Sequence, residues 1–276
     1  MLSNSSLPLS VILLKRNVLT KINSLDYHFI DNNSQKTIVI IPDVYYHHSF
    51  YLHLSESVGS AYNYLYIDLP GFGSTVLDKS FGLNDTAEEV DSLLLKLELN
   101  QVIIFGHGYG VTVSLLLNST STGNIVGLIL CSGFHTPVHE AFKEAILRRM
   151  NHYLDGDISF DEYAELLRQN HFEYPNSSIA KKWTEHLMSL DRSALYAHTH
   201  AFLSSTALIQ ELDINRSNTS LIIHGEADRV HSPECSEKLS VEVESCTLHI
   251  LKGKSHALFE NNQIAANYIN PFLSKI

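Results

Sequence analysis

The sequence predicts an α/β protein with a doubly wound, mostly parallel sheet and an inserted helical subdomain. Short, nearly continuous apolar runs have the length and composition of strands buried on both faces of a parallel sheet. These runs are residues 37–41, 64–67, 102–105, 126–131, 220–224 and 247–251. Almost ninety residues separate the fourth run from the fifth, many more than one crossover helix requires. The excess predicts the inserted subdomain.

The first elements of the chain have a different pattern. Residues 18–22 and 25–30 alternate apolar and polar side chains around Asn23-Ser24, which predicts an antiparallel hairpin at the edge of the sheet. Before them, the apolar residues 7–14 precede rather than follow a cationic pair, so we interpret them as a strand or docking segment instead of a signal peptide.

Helices are predicted between the parallel strands. Residues 86–97 repeat leucine and valine at helical spacing, and Asn84 or Asp85 is available to cap the first turn. Within the insertion, helix-forming composition predicts helices over 138–154, 159–170, 180–190 and 192–204. We therefore expect a core of residues 1–134 and 205–276, and a helical lid of residues 135–204 over the carboxyl edge of the sheet, where ligands bind in such folds.

Composition limits the class of protein. The chain has 276 residues and carries 19 Lys and Arg against 30 Asp and Glu, a formal net charge of -11, which argues against nucleic acid as a partner. No window approaches the ~20 apolar residues that a membrane span needs. The 3 cysteines lack metal-ligand spacing. We expect a cytoplasmic monomer or homodimer that acts on a small molecule.

Residues Gly106-His107-Gly108-Tyr109-Gly110 follow one predicted strand and precede a helical stretch. This is the context of the G-x-S-x-G nucleophile elbow, in which a strained turn projects the central side chain into a pocket. Here the central residue is Gly108. The alternative interpretation is a glycine-rich turn without chemistry, because any tight turn accepts glycine.

Two further residues follow strands in the order expected of a Ser-Asp-His catalytic group. Asp228 comes after residues 220–224, where a carboxylate can orient a histidine and stabilise its charged form. His256 comes shortly after residues 247–251. Either residue alone has an ordinary explanation, as a turn-capping acid or as a polar loop histidine. The chain order of the elbow, the acid and the histidine favours a catalytic site.

With these motifs, the chain resembles lid-bearing α/β-hydrolase fold proteins of the esterase, lipase and epoxide-hydrolase group. The segment from Asp68 to Ser74, D-L-P-G-F-G-S, is similar to the D-x-P-G-x-G loop of that group. The resemblance implies an α/β-hydrolase sheet, with Asp228 as the orienting acid, His256 as the general base and Gly108 at the vacated nucleophile position.

The same resemblance implies an oxyanion hole made by the backbone N–H of Tyr109 and by a second donor, for which Val44 is the candidate. The family's loop often opens with His-Gly, whereas this chain has Pro42-Asp43-Val44-Tyr45. We expect Asp43 to be a solvated loop acid. The alternative is that it places a carboxylate near the pocket, where the negative charge would disfavour an oxyanion. Tyr45, Tyr46 and His107 are the candidate substrate-binding residues.

No metal or cofactor is predicted, because the histidine pairs of the chain lack a recognised ligand framework. These pairs are His47 with His48, His135 with His139, and His198 with His200. We expect them to be surface or lid residues.

The sequence is compatible with three functions. The first is ancestral ester or acyl hydrolysis of a small apolar substrate, in a chain that lacks the nucleophile. The second is a non-hydrolytic enzyme, a lyase or cyclase, that uses His256 as a general base. The third is a pseudoenzyme that binds a ligand without turnover.

Overall fold

The structure is a computed structural model that describes residues 17–22, 25–72, 81–134, 140–190, 192–205, 218–258 and 263–276. Several predicted features lie outside these residues: the segment 7–14, the turn at Asn23-Ser24, Gly73-Ser74 of the D-x-P-G-x-G loop, the pair His135 and His139, and the first junction of the lid at residue 135. The division into core and lid at residues 135 and 204 therefore stays a prediction.

The described strands form a single sheet, and each of the predicted strand runs lies within one of them. Their bounds are β1 (Asn17–Ile22), β2 (Leu25–Ile30), β3 (Lys36–Ile41), β4 (Asn63–Ile67), β5 (Gln101–His107), β6 (Ile125–Cys131), β7 (Thr219–Gly225) and β8 (Cys246–Leu251). The order across the sheet is β1-β2-β4-β3-β5-β6-β7-β8. β1 and β2 form the antiparallel edge, and β2 also pairs antiparallel with β4. From β4 to β8 all pairings are parallel.

Helices connect the parallel strands and cover the sheet. Their bounds are α1 (His53–Val58), α2 (Leu83–Lys96), α3 (Tyr109–Thr120), α4 (Glu140–Leu154), α5 (Phe160–His171), α6 (Ser178–Ser189), α7 (Arg192–Ser205), α8 (Pro233–Glu242) and α9 (Asn270–Leu273). The predicted doubly wound α/β architecture is confirmed. Among the described helices, none combines the length and the apolar character needed to cross a membrane.

One predicted cap is wrong in its position. Helix α2 begins at Leu83, directly after Gly82, so Asn84 and Asp85 lie within its first turn. The Asp85 carboxylate accepts the backbone N–H of Gly82 at 2.9 Å, so its side chain satisfies a donor just outside the helix. The carboxylate near the amino end also interacts favourably with the helix dipole.

Helices α4 to α7 form the insertion between β6 and β7. Helix α5 begins with Ser159 as its N-cap and Glu162 as the reciprocal partner, which explains why the serine starts a helix there. The side chain of Trp183, on α6, is fully buried, and its ring lies 5.0 Å from that of His171 at the end of α5. This packing positions the end of α5 beside the carboxyl edge of the sheet.

Candidate active site

The turn between β5 and α3 has the backbone of a nucleophile elbow. Gly108 has φ 53 and ψ -114. Residues other than glycine adopt this backbone conformation only under strain. The helix approaches the sheet closely, because a Cβ on Gly110 would lie 2.1 Å from the carbonyl oxygen of Ile41. The turn therefore has the positive φ and the close approach of helix and strand that are typical of a nucleophile elbow, with glycine at its centre.

The place of that side chain is filled by Asp43. A Cβ built on Gly108 would lie 2.1 Å from Asp43 Cγ and 2.2 Å from Asp43 Oδ1. Asp43 follows β3, the neighbour of β5 in the sheet, and is only 1% exposed. The prediction that Asp43 is a solvated loop acid is wrong, because the short strand-to-loop connection turns the carboxylate inward to meet buried hydrogen-bond donors.

Both oxygens of the Asp43 carboxylate are hydrogen-bonded. The backbone N–H of Tyr109, the predicted oxyanion donor, donates to Oδ1 at 2.6 Å. His256 Nε2 donates to Oδ2 at 2.9 Å. Burial alone would raise the pKa of Asp43, but the hydrogen bond and the charge of His256 hold this pKa well below its usual value. The carboxylate is thus ionised where a hydrolase binds the developing oxyanion.

His256 is held from its other side by Asp228, so the structure brings these two predicted site residues together. Its Nδ1 lies 2.9 Å from Asp228 Oδ2. The second oxygen of Asp228 accepts the backbone N–H groups of Val230 and His231 at 2.7 and 2.9 Å. These bonds fix the carboxylate at the end of β7, so that the imidazole ring is held between two acids.

Two carboxylates change the protonation of His256. Burial alone would lower its pKa, but the charge of Asp228 and hydrogen bonds to both Asp228 and Asp43 raise the pKa to about 10. His256 is therefore an imidazolium at neutral pH. A histidine in this state has no lone pair with which to accept a proton from a substrate.

The candidate substrate-binding residues lie at different depths. Tyr45 lines the cavity under the lid, and its hydroxyl bonds that of Thr199. Tyr46 is buried and its hydroxyl lies 3.1 Å from His171 Nδ1. His107 is fully buried, and its two ring nitrogens bond the Tyr51 hydroxyl and the carbonyl oxygen of His256.

His107 therefore lies outside the cavity lining and stabilises the site through hydrogen bonds to neighbouring residues. Burial, followed by the charge of His256, lowers the pKa of His107 to about 3, so its ring is neutral. Its Nε2–H donates to the His256 carbonyl at 3.1 Å, and its Nδ1 accepts from Tyr51 at 2.8 Å. The same Tyr51 oxygen accepts the backbone N–H of Asp43 at 3.3 Å. This chain of bonds connects the loops that carry the acid and the base.

His171 is a site residue that the sequence did not reveal. It ends α5, lines the cavity, and its ring lies edge-on to that of His256 at 5.0 Å. Its carbonyl oxygen accepts the N–H of Ala257 at 2.7 Å and the hydroxyl of Ser255 at 3.0 Å. No spacing signal could have identified it, because the lid meets the His256 loop only in the folded chain.

A cavity of about 230 Å³ lies between the inserted helices α4, α5 and α7 and the loops at the edge of the sheet, with Asp43 in its wall. Val44, the predicted second oxyanion donor, lies in the same wall. The rest of the lining combines apolar and polar side chains and includes Tyr45, Ile146, Arg149, Tyr163, Leu167 and Phe202. Volume and lining are those of a site for a small, largely apolar ligand.

Two groups of described side chains place three potential metal ligands within 4.8 Å of one another. One group is Asp43, His171 and His256, and the other is His47, His48 and Asp68. In the first group Asp43 and His256 already form an ion pair at 2.9 Å, which balances the charge of the buried acid without a cation. The second group is separate from the cavity lining.

Comparison with known structures supports the architecture. An esterase from Thermogutta terrifontis is similar with a TM-score of 0.76 and 18% identity, over 91% of this chain and 94% of that one. A serine hydrolase from Cycloclasticus zankles is similar with a TM-score of 0.75 and 15% identity, over 94% and 98%. An esterase from Exiguobacterium antarcticum has a TM-score of 0.72 and 14% identity, over 91% and 95%. Identities this low establish the fold alone.

A search of curated proteins finds no match to this sequence. The profile described as "Alpha/beta hydrolase family" matches residues 38–266, which include the elbow, Asp43, Asp228 and His256. This match covers most of the chain and agrees with the observed sheet order and with the order of the site residues. The chain belongs to the alpha/beta hydrolase family.

Proposed function

We propose that this chain is a small-molecule hydrolase in which the Asp43 carboxylate replaces the serine nucleophile. The observation that carries the proposal is the overlap between the Asp43 carboxylate and the side-chain position of Gly108, 2.1 Å between Cγ and the Cβ site. The carboxylate contacts the elbow N–H and the catalytic histidine at once. A serine hydroxyl in this fold makes use of the same two groups.

Ester hydrolysis through an acyl-serine has no route in this arrangement. The hydroxyl is missing, the Tyr109 N–H is bound to a resident anion, and His256 is already protonated. The protonated state also argues against a lyase or cyclase that needs His256 as a base in the resting enzyme. Ester or acyl chemistry is therefore proposed as the ancestry of the chain and not as its present reaction.

A carboxylate is suited to a different electrophile. Attack on an ester would give an anhydride, which is less stable than the ester itself, whereas attack on a saturated carbon with a leaving group gives an ordinary ester. Tyr45 and Tyr163 line the cavity, and their phenolic O–H groups suit a leaving group that takes up a proton, such as the oxygen of an epoxide. We therefore propose an epoxide as the substrate class.

In the first step, Asp43 Oδ2 attacks one epoxide carbon. The bond between that carbon and the epoxide oxygen, which lies opposite the attacking carboxylate, breaks. The cavity wall holds the hydroxyls of Tyr45 and Tyr163, and burial raises the pKa of both. These groups therefore stay protonated, and one of them donates its proton to the epoxide oxygen. The His256 imidazolium, which has lost its ion pair with Asp43, then reprotonates the phenolate and becomes neutral.

In the second step, neutral His256 takes a proton from water while the hydroxide attacks Asp43 Cγ. The negative charge develops on Oδ1, where the Tyr109 N–H already donates at 2.6 Å. The bond from Cγ to the alkoxide breaks, and the proton of the new carboxyl group passes to the alkoxide. The net reaction is epoxide plus water to diol, with Asp43 and His256 returned to their ion pair.

Ligand binding without turnover is the second candidate, and one specific observation favours it. The Asp43 carboxylate and the His256 imidazolium neutralise each other at full burial. Such a pair lowers the reactivity of both groups, so the cavity could hold a ligand without acting on it. A single experiment separates the two candidates.

The experiment offers the wild-type chain a panel of styrene oxide and short aliphatic epoxides and measures diol formation. We expect turnover that falls by at least about 1,000-fold in Asp43→Asn, because the nucleophile is lost. The matched control is Asp157→Asn, which removes an exposed carboxylate paired with His152 on the lid. Turnover that survives Asp43→Asn would contradict the proposal. Epoxides that raise the melting temperature without being hydrolysed would favour the binding candidate.

A further inference from the structure

A cluster of imidazoles lies on the loop that carries Asp43, apart from the side chains that line the cavity. His47 and His48 come just after β3, and Asp68 comes just after β4. His47 Nε2 lies 3.3 Å and His48 Nδ1 lies 2.6 Å from the same atom, Asp68 Oδ2. The two imidazoles and the carboxylate therefore point at one location.

The helical insertion supplies a third imidazole. His186, in the last turn of α6, has its ring centroid 5.2 Å from that of His47. Its Nε2 is buried, and no hydrogen-bond partner for it is found in the part of the chain that the structure describes. A buried ring nitrogen without a partner costs stability unless something binds it.

We propose that His47, His48, Asp68 and His186 form a binding site for a divalent transition metal ion that joins the lid to the core. Three nitrogens and one carboxylate oxygen are a ligand set that zinc prefers in tetrahedral sites. Zinc bonds of about 2.0–2.2 Å place neighbouring ligand atoms roughly 3.3 Å apart. Of these four residues, only His47, His48 and Asp68 have ligand atoms within 4.8 Å of one another, so the His186 ring has to move toward them to complete the site.

The surroundings of the ligands suit this role. His47 Nδ1 accepts the backbone N–H of Ser49 at 3.3 Å and lies 3.0 Å from the Ser49 hydroxyl. A metal on Nε2 would displace the proton that this nitrogen directs at Asp68, and Nδ1 would then hold the proton and donate it to the hydroxyl. His48 donates its backbone N–H to Asp68 Oδ1 at 2.7 Å, which fixes the carboxylate.

A metal at this position would have a structural effect on the active site. Helix α6 belongs to the lid, whereas the loop with His47 and His48 begins at Asp43. The ion would thus hold the lid against the loop that supplies the proposed nucleophile. This inference does not depend on the reaction proposed for Asp43.

The test uses the full chain, freed of metal with a chelator, titrated with zinc chloride, and analysed for bound zinc and melting temperature. We expect one zinc per chain and a higher melting temperature. His47→Ala and His186→Ala should each weaken zinc binding by at least about 10-fold, as the loss of a ligand implies. His152→Ala, which alters an exposed histidine beside Asp157, is the matched control and should bind zinc like the wild type.

A further variant separates this site from the second potential ligand group. His171→Ala removes a member of the group around Asp43 and should leave zinc binding unchanged. Zinc that is lost in His171→Ala but retained in His47→Ala would overturn the proposal. A wild-type chain that binds no zinc would also overturn it. If His186→Ala binds and is stabilised by zinc as well as the wild type, the connection to the lid is wrong.

Discussion

Gly108→Ser alone is expected to leave the chain without activity on p-nitrophenyl esters, whereas Asp43→Ala combined with Gly108→Ser is expected to hydrolyse them. The physical reason for the first result is steric. A Cβ on residue 108 would lie 2.1 Å from Asp43 Cγ, so a serine side chain and the resident carboxylate compete for one space. The serine would also face a protonated His256.

The double variant removes the steric overlap, the occupation of the Tyr109 N–H and one of the two acids that keep His256 protonated. Removal of the Asp43 carboxylate leaves room for the serine side chain, and the Tyr109 N–H becomes available for an oxyanion. His256 keeps Asp228 as an acid partner but loses Asp43, so the pKa of His256 falls. One oxyanion donor alone is worth on the order of 100-fold or more in turnover. We therefore expect the double variant to exceed Gly108→Ser by at least about 100-fold in initial rate on short acyl esters.

Two controls make this result specific. Asp43→Ala alone should remain inactive on esters, because it lacks a hydroxyl, and melting temperatures should show that all variants fold. Adding His256→Ala to the double variant should abolish the new activity. If Gly108→Ser alone is as active as the double variant, Asp43 does not fill the nucleophile position.

His256→Gln is expected to trap a covalent intermediate during reaction with an epoxide that the wild type hydrolyses. Glutamine can hydrogen-bond Asp43 but cannot take a proton from water, so the ester on Asp43 forms and is not hydrolysed. Intact-protein mass spectrometry should show the mass of one added epoxide molecule. Peptide mapping should place the addition on Asp43.

The matched control for this experiment is Asp43→Asn combined with His256→Gln, which should gain no mass. An adduct on a different residue, or none at all in a folded His256→Gln chain, would contradict a nucleophilic role for Asp43. The adduct reports on covalent chemistry, so this result does not depend on the overall rate of turnover.

The sequence predicted the sheet, the elbow backbone and the pair of Asp228 and His256 because these features depend on local pattern. Apolar runs define buried strands, and residues after such strands meet at one edge of a parallel sheet. The helices of the insertion were predicted from their helix-forming composition, which is also a local property, and the capping of α5 by Ser159 and Glu162 agrees with the predicted start at residue 159.

The position of Asp43 could not be predicted in this way. Whether a loop acid is solvated or buried depends on donors that lie far along the chain, here Tyr109 and His256. The same limit applies to His171 and His186, which reach their partners only when the lid packs on the core. Each of these contacts joins segments that the sequence separates widely.

The protonation state of His256 tests the central claim most directly, because it needs no substrate. Nitrogen NMR of histidine-labelled protein, with signals assigned by His256→Gln, would follow His256 from neutral to alkaline pH. We expect both ring nitrogens to carry protons at neutral pH and titration toward a pKa of about 10. In Asp43→Asn the titration should move to lower pH, because one of the two acids is gone. A His256 that is neutral at neutral pH in the wild type, or that titrates identically in Asp43→Asn, would contradict the account.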